Sequence, residues 1–275
     1  MKKKYTGGKI FTALTYLFLY APIVFLIVFS FNSTKSRTIW SGFTLDWYKQ
    51  LFNDSLIMSS LETTLTVSVI ASVIAAIIGT FAAIGFYNMK KKWRSPLLTV
   101  NNIPVINADI ITGVSLALLF VSAGAALGFQ LGFGTLLIAH ISFDIPYIIL
   151  SVMPKLYQLD RNLFEAAQDL GCTWFQTVYK VIIPEIMPGI VNGLLIAFTM
   201  SVDDFVISYF TAGSSVQTLS MTIYAMTRRR ISPEINAIST LLFAVVLILL
   251  VVVNVREARQ HKSEIKKEKM LKGAV

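Results

Sequence analysis

Six runs of mostly apolar residues dominate this chain, at 10–31, 61–88, 96–122, 132–153, 188–210 and 236–254. Each reaches the ~20 residues that a helix needs to cross a hydrocarbon core. Lipid offers no water to backbone N–H and C=O groups, so only helices and closed barrels span it. Barrel strands alternate apolar and polar residues over segments of about ten, and these runs are long and continuous. The expected fold is an all-α integral membrane protein with six transmembrane helices. The third run is polar in its first half, through Asn101, Asn102, Asn107 and Asp109. With 55% hydrophobic and 14% charged residues in 275, an ordinary soluble domain is excluded.

The net charge of +9 follows the membrane rather than nucleic acid, because the basic residues gather in alternate connections, as the positive-inside bias requires. With the N-terminus inside, the inner segments hold Lys2, Lys3, Lys4 and Lys9, then Lys90, Lys91, Lys92 and Arg94, then Lys155, Arg161 and Lys180, and then the tail after residue 255. The outer segments hold only Lys35, Arg37, Lys49 and the run Arg228–Arg230. That run either lies at the outer headgroups or marks a re-entrant last hairpin. Both termini are expected in the cytoplasm, with residues 1–255 as the transmembrane domain and 256–275 as a basic tail. The first run is too long for a signal peptide and lacks a small-residue cleavage site, so it reads as a retained anchor. A single cysteine, Cys172, rules out an internal disulfide. His140 and His261 are too far apart for metal-ligand spacing, so no metal site is expected and His140 is assigned no role.

Local signals place the connections. In the outer loop, Phe43, Trp47, Tyr48, Leu51 and Phe52 fall on one helical face, which either anchors in the headgroup zone or covers an outer opening. Ser59 with Glu62 reads as a capping box opening span two. Ala71, Ala75, Gly79 and Ala83 form a small-residue stripe for close helix packing. Between spans four and five, Asn162 with Glu165 reads as the cap of a short helix that stops at Gly171. Thr173 with Gln176 reads as a capping box opening a second, which Pro184 and Pro188 end before span five begins. A helix lying on lipid is normally rich in Lys and Arg on its polar face. This hairpin offers Glu165, Gln168, Asp169 and Gln176, which points to a protein partner.

In that hairpin stand Glu165-Ala166-Ala167, three residues, Gly171, nine residues, and Val181-Ile182-Ile183-Pro184. This pattern resembles the loop of inner-membrane permease subunits of binding-protein-dependent ABC importers, with Val181 and Ile183 in place of the family's Ile and Leu. The resemblance implies the type I ABC importer permease fold, with residues 160–188 as a cytoplasmic coupling-helix hairpin in a prokaryotic inner (plasma) membrane. It implies that Glu165, Ala166, Ala167, Gly171 and Pro184 couple to one of two cytoplasmic ATPase subunits. The further partners implied are a second homologous permease and an extracytoplasmic binding protein. The chain has no G-x-x-x-x-G-K-[ST] loop, so the expectation is a transport subunit and not an enzyme. ATP and Mg are expected on the partner ATPase, with no cofactor bound here.

Acids at bilayer depth are costly and point to a cavity or a partner. Asp109, Asp203 and Asp204 are the candidates, with Asp109 roughly 20 Å along span three from Pro96 and Asp203 roughly 22 Å along span five from Pro188. Adjacent residues on a helix lie about 100° apart, so Asp203 and Asp204 cannot share a face. Asp144, just before Pro146, reads instead as a local cap at a kink. Spaced carboxylates in a pore select cations. The stretch Ser201–Ser208, with Ser232-Pro233-Glu234 downstream, resembles the spermidine/putrescine subfamily of PotC type. It implies a polyamine path lined by Asp109, Asp203, Asp204 and Ser201, with Trp47 and Tyr48 offering cation–π contacts at the outer mouth. Two other readings stay open, an ion-coupled secondary transporter using the same acids and the same ABC permease with another cationic cargo.

Overall fold

The computed structural model describes residues 6–34, 39–160, 162–229 and 233–273. It is almost wholly helical, and among the described residues the one isolated β-bridge joins Asn32 to Phe43. The elements are α1 (Thr6–Phe29), α2 (Asp46–Asn53), α3 (Ser55–Asn88), α4 (Lys91–Ile106), α5 (Asp109–Leu127) and α6 (Phe133–Gln158). Then follow α7 (Asn162–Asp169), α8 (Trp174–Thr177), a π-helical turn (Val178–Ile182), α9 (Ile183–Asp203), α10 (Val206–Thr211), α11 (Leu219–Arg229) and α12 (Pro233–Gly273). Six of these stretches are long and apolar enough to cross a membrane: Phe11–Phe29, Ser55–Asn88, Asp109–Leu127, Phe133–Gln158, Trp174–Asp203 and Glu234–Arg256. Large apolar side chains stand outside on them, Phe18 at 82% exposure and Leu118 at 64%, as lipid-facing positions require.

The backbone divides into two compact units, Met1–Ser60 with Thr222–Val245, and Leu61–Met221 with Val246–Val275. In the first unit Asn32 closes the loop after α1. Its Oδ1 accepts from the Ser41 N–H at 3.0 Å, its Nδ2 donates to the Ile39 carbonyl at 2.9 Å, and its own carbonyl accepts from Trp47 Nε1 at 2.7 Å. In the second unit α9 packs along α6, and the π turn seats Val178 and Ile182 against a core of Ile84, Ile148, Val152 and Leu156. Glycines permit this approach. A Cβ on Gly189 would stand 2.9 Å from the Ser151 carbonyl oxygen and 2.8 Å from Lys155 Cγ. The lysine stem can swing aside, but the carbonyl cannot. Gly189→Val is therefore expected to force α6 and α9 apart at a cost of about 1–3 kcal/mol. That lowers the thermal midpoint of the purified protein by about 5 °C, as read by a thermal-shift assay in detergent.

Several sequence-based boundaries move, each for a local reason. Span two starts at Ser55 rather than 61, because Asp54 Oδ1 accepts the N–H groups of Leu56 and Ile57 at 2.8 and 3.2 Å; Ser59 lies inside the helix and donates to the Leu56 carbonyl. The third run is two helices, since Asn107 and Ala108 are extended between α4 and α5. The fifth run breaks at Asp204, so Asp203 and Asp204 do not share one continuous helix. The cap of α7 is Asp160, whose Oδ1 accepts the Asn162 N–H at 3.0 Å, and Asn162 is already helical. Pro184 and Pro188 do not interrupt the chain between hairpin and span. Helix runs unbroken from Trp174 to Asp203, with the Ile183 N–H reaching the Val178 carbonyl five residues back. The wider π turn lies just where Pro184 lacks a donor. Asp144 is no cap either, since α6 is continuous through it. Arg161, Arg230 and Ser232 lie outside the described residues, as do Lys35 and Arg37.

Candidate functional site

Two places in the second unit gather the residues singled out from sequence. The first is the hairpin. Gly171 has φ +85°, the left-handed backbone that ends α7, and the closing bonds are those of a Schellman turn: Cys172 N–H to the Ala167 carbonyl at 3.0 Å and Gly171 N–H to the Gln168 carbonyl at 2.8 Å. The Thr173 capping box is present, with Gln176 N–H on Thr173 Oγ1 at 3.4 Å and Thr173 N–H on Gln176 Oε1 at 3.0 Å. Glu165 is exposed in the first turn of α7, Ala166 is exposed and Ala167 is buried. Glu165 lines a cleft of about 520 Å³ with Tyr87, Arg94, Tyr157, Gln168 and Trp174, in which the Arg94 guanidinium lies 5.4 Å from the centre of the Tyr157 ring. Beside it the hairpin exposes Leu170 (87%), Phe175 (68%) and Tyr179 (68%). Pro184 is exposed at the start of α9.

The second place is the break in span five. Asp204 ends α9 in extended backbone and caps α10 with both oxygens: Oδ1 accepts the Ile207 N–H at 3.2 Å, and Oδ2 accepts the Ser208 N–H at 2.7 Å and the Ser208 hydroxyl at 2.8 Å. His140, on α6, spans the break. Its Nδ1 lies 2.6 Å from Ser201 Oγ on α9 and its Nε2 3.0 Å from Ser208 Oγ on α10. Since Ser208 Oγ gives its proton to Asp204, it accepts from Nε2–H, and Nδ1 then accepts from Ser201. A neutral imidazole satisfies all of these bonds. Asp204 Oδ2 lies 3.5 Å from His140 Nε2, with both side chains nearly buried. Ser201 and Asp204 thus hold the fold of the break together, whereas Asp203, the last residue of α9, is exposed.

Asp109 stands exposed in the first turn of α5, where the helix dipole favours a carboxylate. One turn along, Gly113 lets α10 approach so closely that a Cβ there would meet the Phe210 ring at 3.1 Å and the Val206 carbonyl at 3.4 Å. The two helix breaks, before Asp109 and after Asp203, therefore belong to one neighbourhood of α5 and α10. Tyr147 lies within Coulombic range of Asp109 and Asp144, and Asp204 within range of Asp144 and Asp203. Neither α5, α9 nor α10 carries a lysine or arginine.

Trp47 and Tyr48 belong to the other unit. Trp47 is buried at 7% exposure with its N–H on the Asn32 carbonyl, and Tyr48 stacks on Phe31 with its hydroxyl 2.7 Å from Ser30 Oγ. The open indole face expected for cation–π contact is packed away, because α2 buries its Trp47–Leu51 side instead. His140 is the residue that sequence reasoning missed. Its signal was the spacing of His140 and Asp144, one turn apart on one face of α6.

Residues 75–258 match the family model described as binding-protein-dependent transport system inner membrane component. The chain is 37% identical over 256 residues to the putrescine transport system permease protein PotI of Escherichia coli K12, covering 92% of this chain and 91% of that one. It is 36% identical over 245 residues to the spermidine/putrescine transport system permease protein PotC of the same strain, covering 89% and 90%. In fold it is similar to a chain of the bacterial alginate ABC transporter solved with an alginate pentasaccharide-bound periplasmic protein, with a TM-score of 0.67 at 16% identity, covering 92% of this chain and 93% of that one.

Proposed function

Because this chain belongs to the family of binding-protein-dependent transport system inner membrane components, we propose that it forms half of the translocation path of an ATP-driven importer of polyamines, spermidine or putrescine. It is a multi-pass inner-membrane protein and a transport component, not an enzyme. The observation that carries the cargo reading is the pair of open carboxylates, Asp109 and Asp203, at two helix breaks flanked by α5, α9 and α10, none of which carries a lysine or arginine to neutralise them. A polyamine is an elongated chain of ammonium groups, and spaced acids bind such a chain while rejecting anions. Identity to putrescine and spermidine/putrescine permeases supports the same cargo.

In this reading both termini, the tail 256–275 and the hairpin face the cytoplasm. The chain pairs with a second homologous permease, two ATPase subunits and an extracytoplasmic polyamine-binding protein. ATP and Mg stay on the ATPases, and this chain binds no cofactor. Glu165, Ala166, Ala167, Gly171 and Pro184 shape the hairpin that meets an ATPase, and Phe175 and Tyr179 supply apolar contact. Asp109 and Asp203 touch the cargo, while Ser201 and Asp204 position Asp203.

Uptake of labelled spermidine into ATP-loaded proteoliposomes holding the whole complex tests the reading. Expected is uptake that needs ATP, yields to excess putrescine and ignores ionophores. Uptake driven by an ion gradient without ATP, or untouched by putrescine, would overturn it.

A further inference from the structure

Asp144 sits in the middle of α6, one turn beyond His140, with none of its surface exposed and no hydrogen-bond partner for either carboxylate oxygen. A carboxylate buried without a partner is among the least favourable arrangements a fold can hold. Within a membrane span such a group is retained where function needs it. The polar groups around it are already committed. His140 is bound to Ser201 and Ser208, and Asp204 accepts from Ile207 and Ser208. Neither can turn to Asp144 without releasing the break in span five. Asp204 and Tyr147 lie within Coulombic range of Asp144, and Tyr147 lies within range of Asp109 as well. Tyr147 thus neighbours both Asp144 and exposed Asp109, and Asp204 neighbours both Asp144 and exposed Asp203.

A buried carboxylate is best satisfied by a cation that it also hydrogen-bonds. A divalent metal wants several oxygen ligands in fixed geometry, and among the described residues no group of three His, Cys, Asp or Glu is placed to hold one. An ammonium group needs only a carboxylate and a neighbouring acceptor such as the Tyr147 hydroxyl. We propose that Asp144 is a second, occluded carboxylate of the cargo path, taking one ammonium group of the polycation when the His140 clasp on Ser201 and Ser208 opens. The inference rests on the polyamine reading and assigns the cargo's second nitrogen. The clasp supplies the gate: His140 bridges both sides of the break, so sliding α9 against α6 separates it from Ser201 and uncovers Asp144. In the closed state the acid is sealed and unpaired. In the open state it and Asp203 hold two amines of one chain.

The test compares Asp144→Asn, Asp144→Glu and Asp203→Asn in the reconstituted complex. Asp144→Asn is expected to cut spermidine uptake about tenfold without lowering the thermal midpoint of the cargo-free complex, because the side chain makes no hydrogen bond there that the amide would lose. Asp144→Glu is expected to keep measurable uptake. A structural role for Asp144 would lower the midpoint and the uptake together, and that result overturns the proposal. So does wild-type uptake by Asp144→Asn when Asp203→Asn is impaired, which leaves the polyamine reading standing. If Asp203→Asn also transports normally, the polyamine path itself fails, and this site with it.

Discussion

Asp203→Asn is expected to abolish nearly all spermidine uptake by the reconstituted complex while leaving the permease folded and its ATPase attached. The substitution is isosteric and removes one charge. An ammonium–carboxylate hydrogen bond is worth about 1.5–3 kcal/mol, so losing it costs roughly 10- to 100-fold in transport at limiting cargo. The fold should not notice, because Asp203 is the exposed last residue of α9 and caps nothing. Its neighbour gives the contrast. Asp204 accepts three hydrogen bonds from Ile207 and Ser208 and lies against His140. An amide in its place can offer only one acceptor oxygen, so Asp204→Asn should lower the thermal midpoint as well as uptake. Initial uptake rates and thermal midpoints for the two variants separate the roles. Normal uptake by Asp203→Asn would remove this acid from the path.

The six membrane helices were legible because hydrophobic length alone specifies them, and the Gly171 turn was legible because a left-handed residue is a local property of the backbone. The breaks were not. Neither Asn107–Ala108 nor Asp204–Phe205 contains glycine or proline, and both lie inside apolar runs that hydropathy reads as continuous. The second break is made by a side chain that caps the helix following it and by a histidine sixty-odd residues upstream in the chain. Pro184 misled in the opposite sense. Proline normally marks a helix boundary, but here the π turn before it supplies a wider register and the helix continues. Asp144 likewise looked like a cap beside Pro146, and only the packing of α6 shows it sealed in the core. Sequence could name the acids. Which of them is open, which is structural and which is hidden depends on partners remote in the chain.

The continuity across Pro184 also makes the hairpin mechanically consequential, and Phe175 is where to test that. Phe175→Asp is expected to weaken retention of the ATPase by roughly 30-fold or more, since exposed aromatic anchors in such interfaces carry about 2–4 kcal/mol. The permease itself should keep its thermal midpoint, because the ring is 68% exposed and contributes little to the core. If Phe175 merely anchored in lipid headgroups, Phe175→Trp would preserve function and Phe175→Asp would loosen the permease without touching ATPase retention, an outcome that co-purification at rising salt and dilution would reveal. The stronger consequence lies at the other end of the same rod. Thirty residues of unbroken helix join Trp174 to Asp203, roughly 45 Å at the rise of an α-helix, and His140 clasps the far end. A displacement of the hairpin therefore reaches the acids with no loop to absorb it. Coupling between two sites is reciprocal in free energy, so spermidine should change the affinity of the wild-type permease for its nucleotide-bound ATPase, and Asp203→Asn should abolish that change without altering basal affinity. An ATPase affinity indifferent to spermidine in the wild type would show that the rod does not transmit.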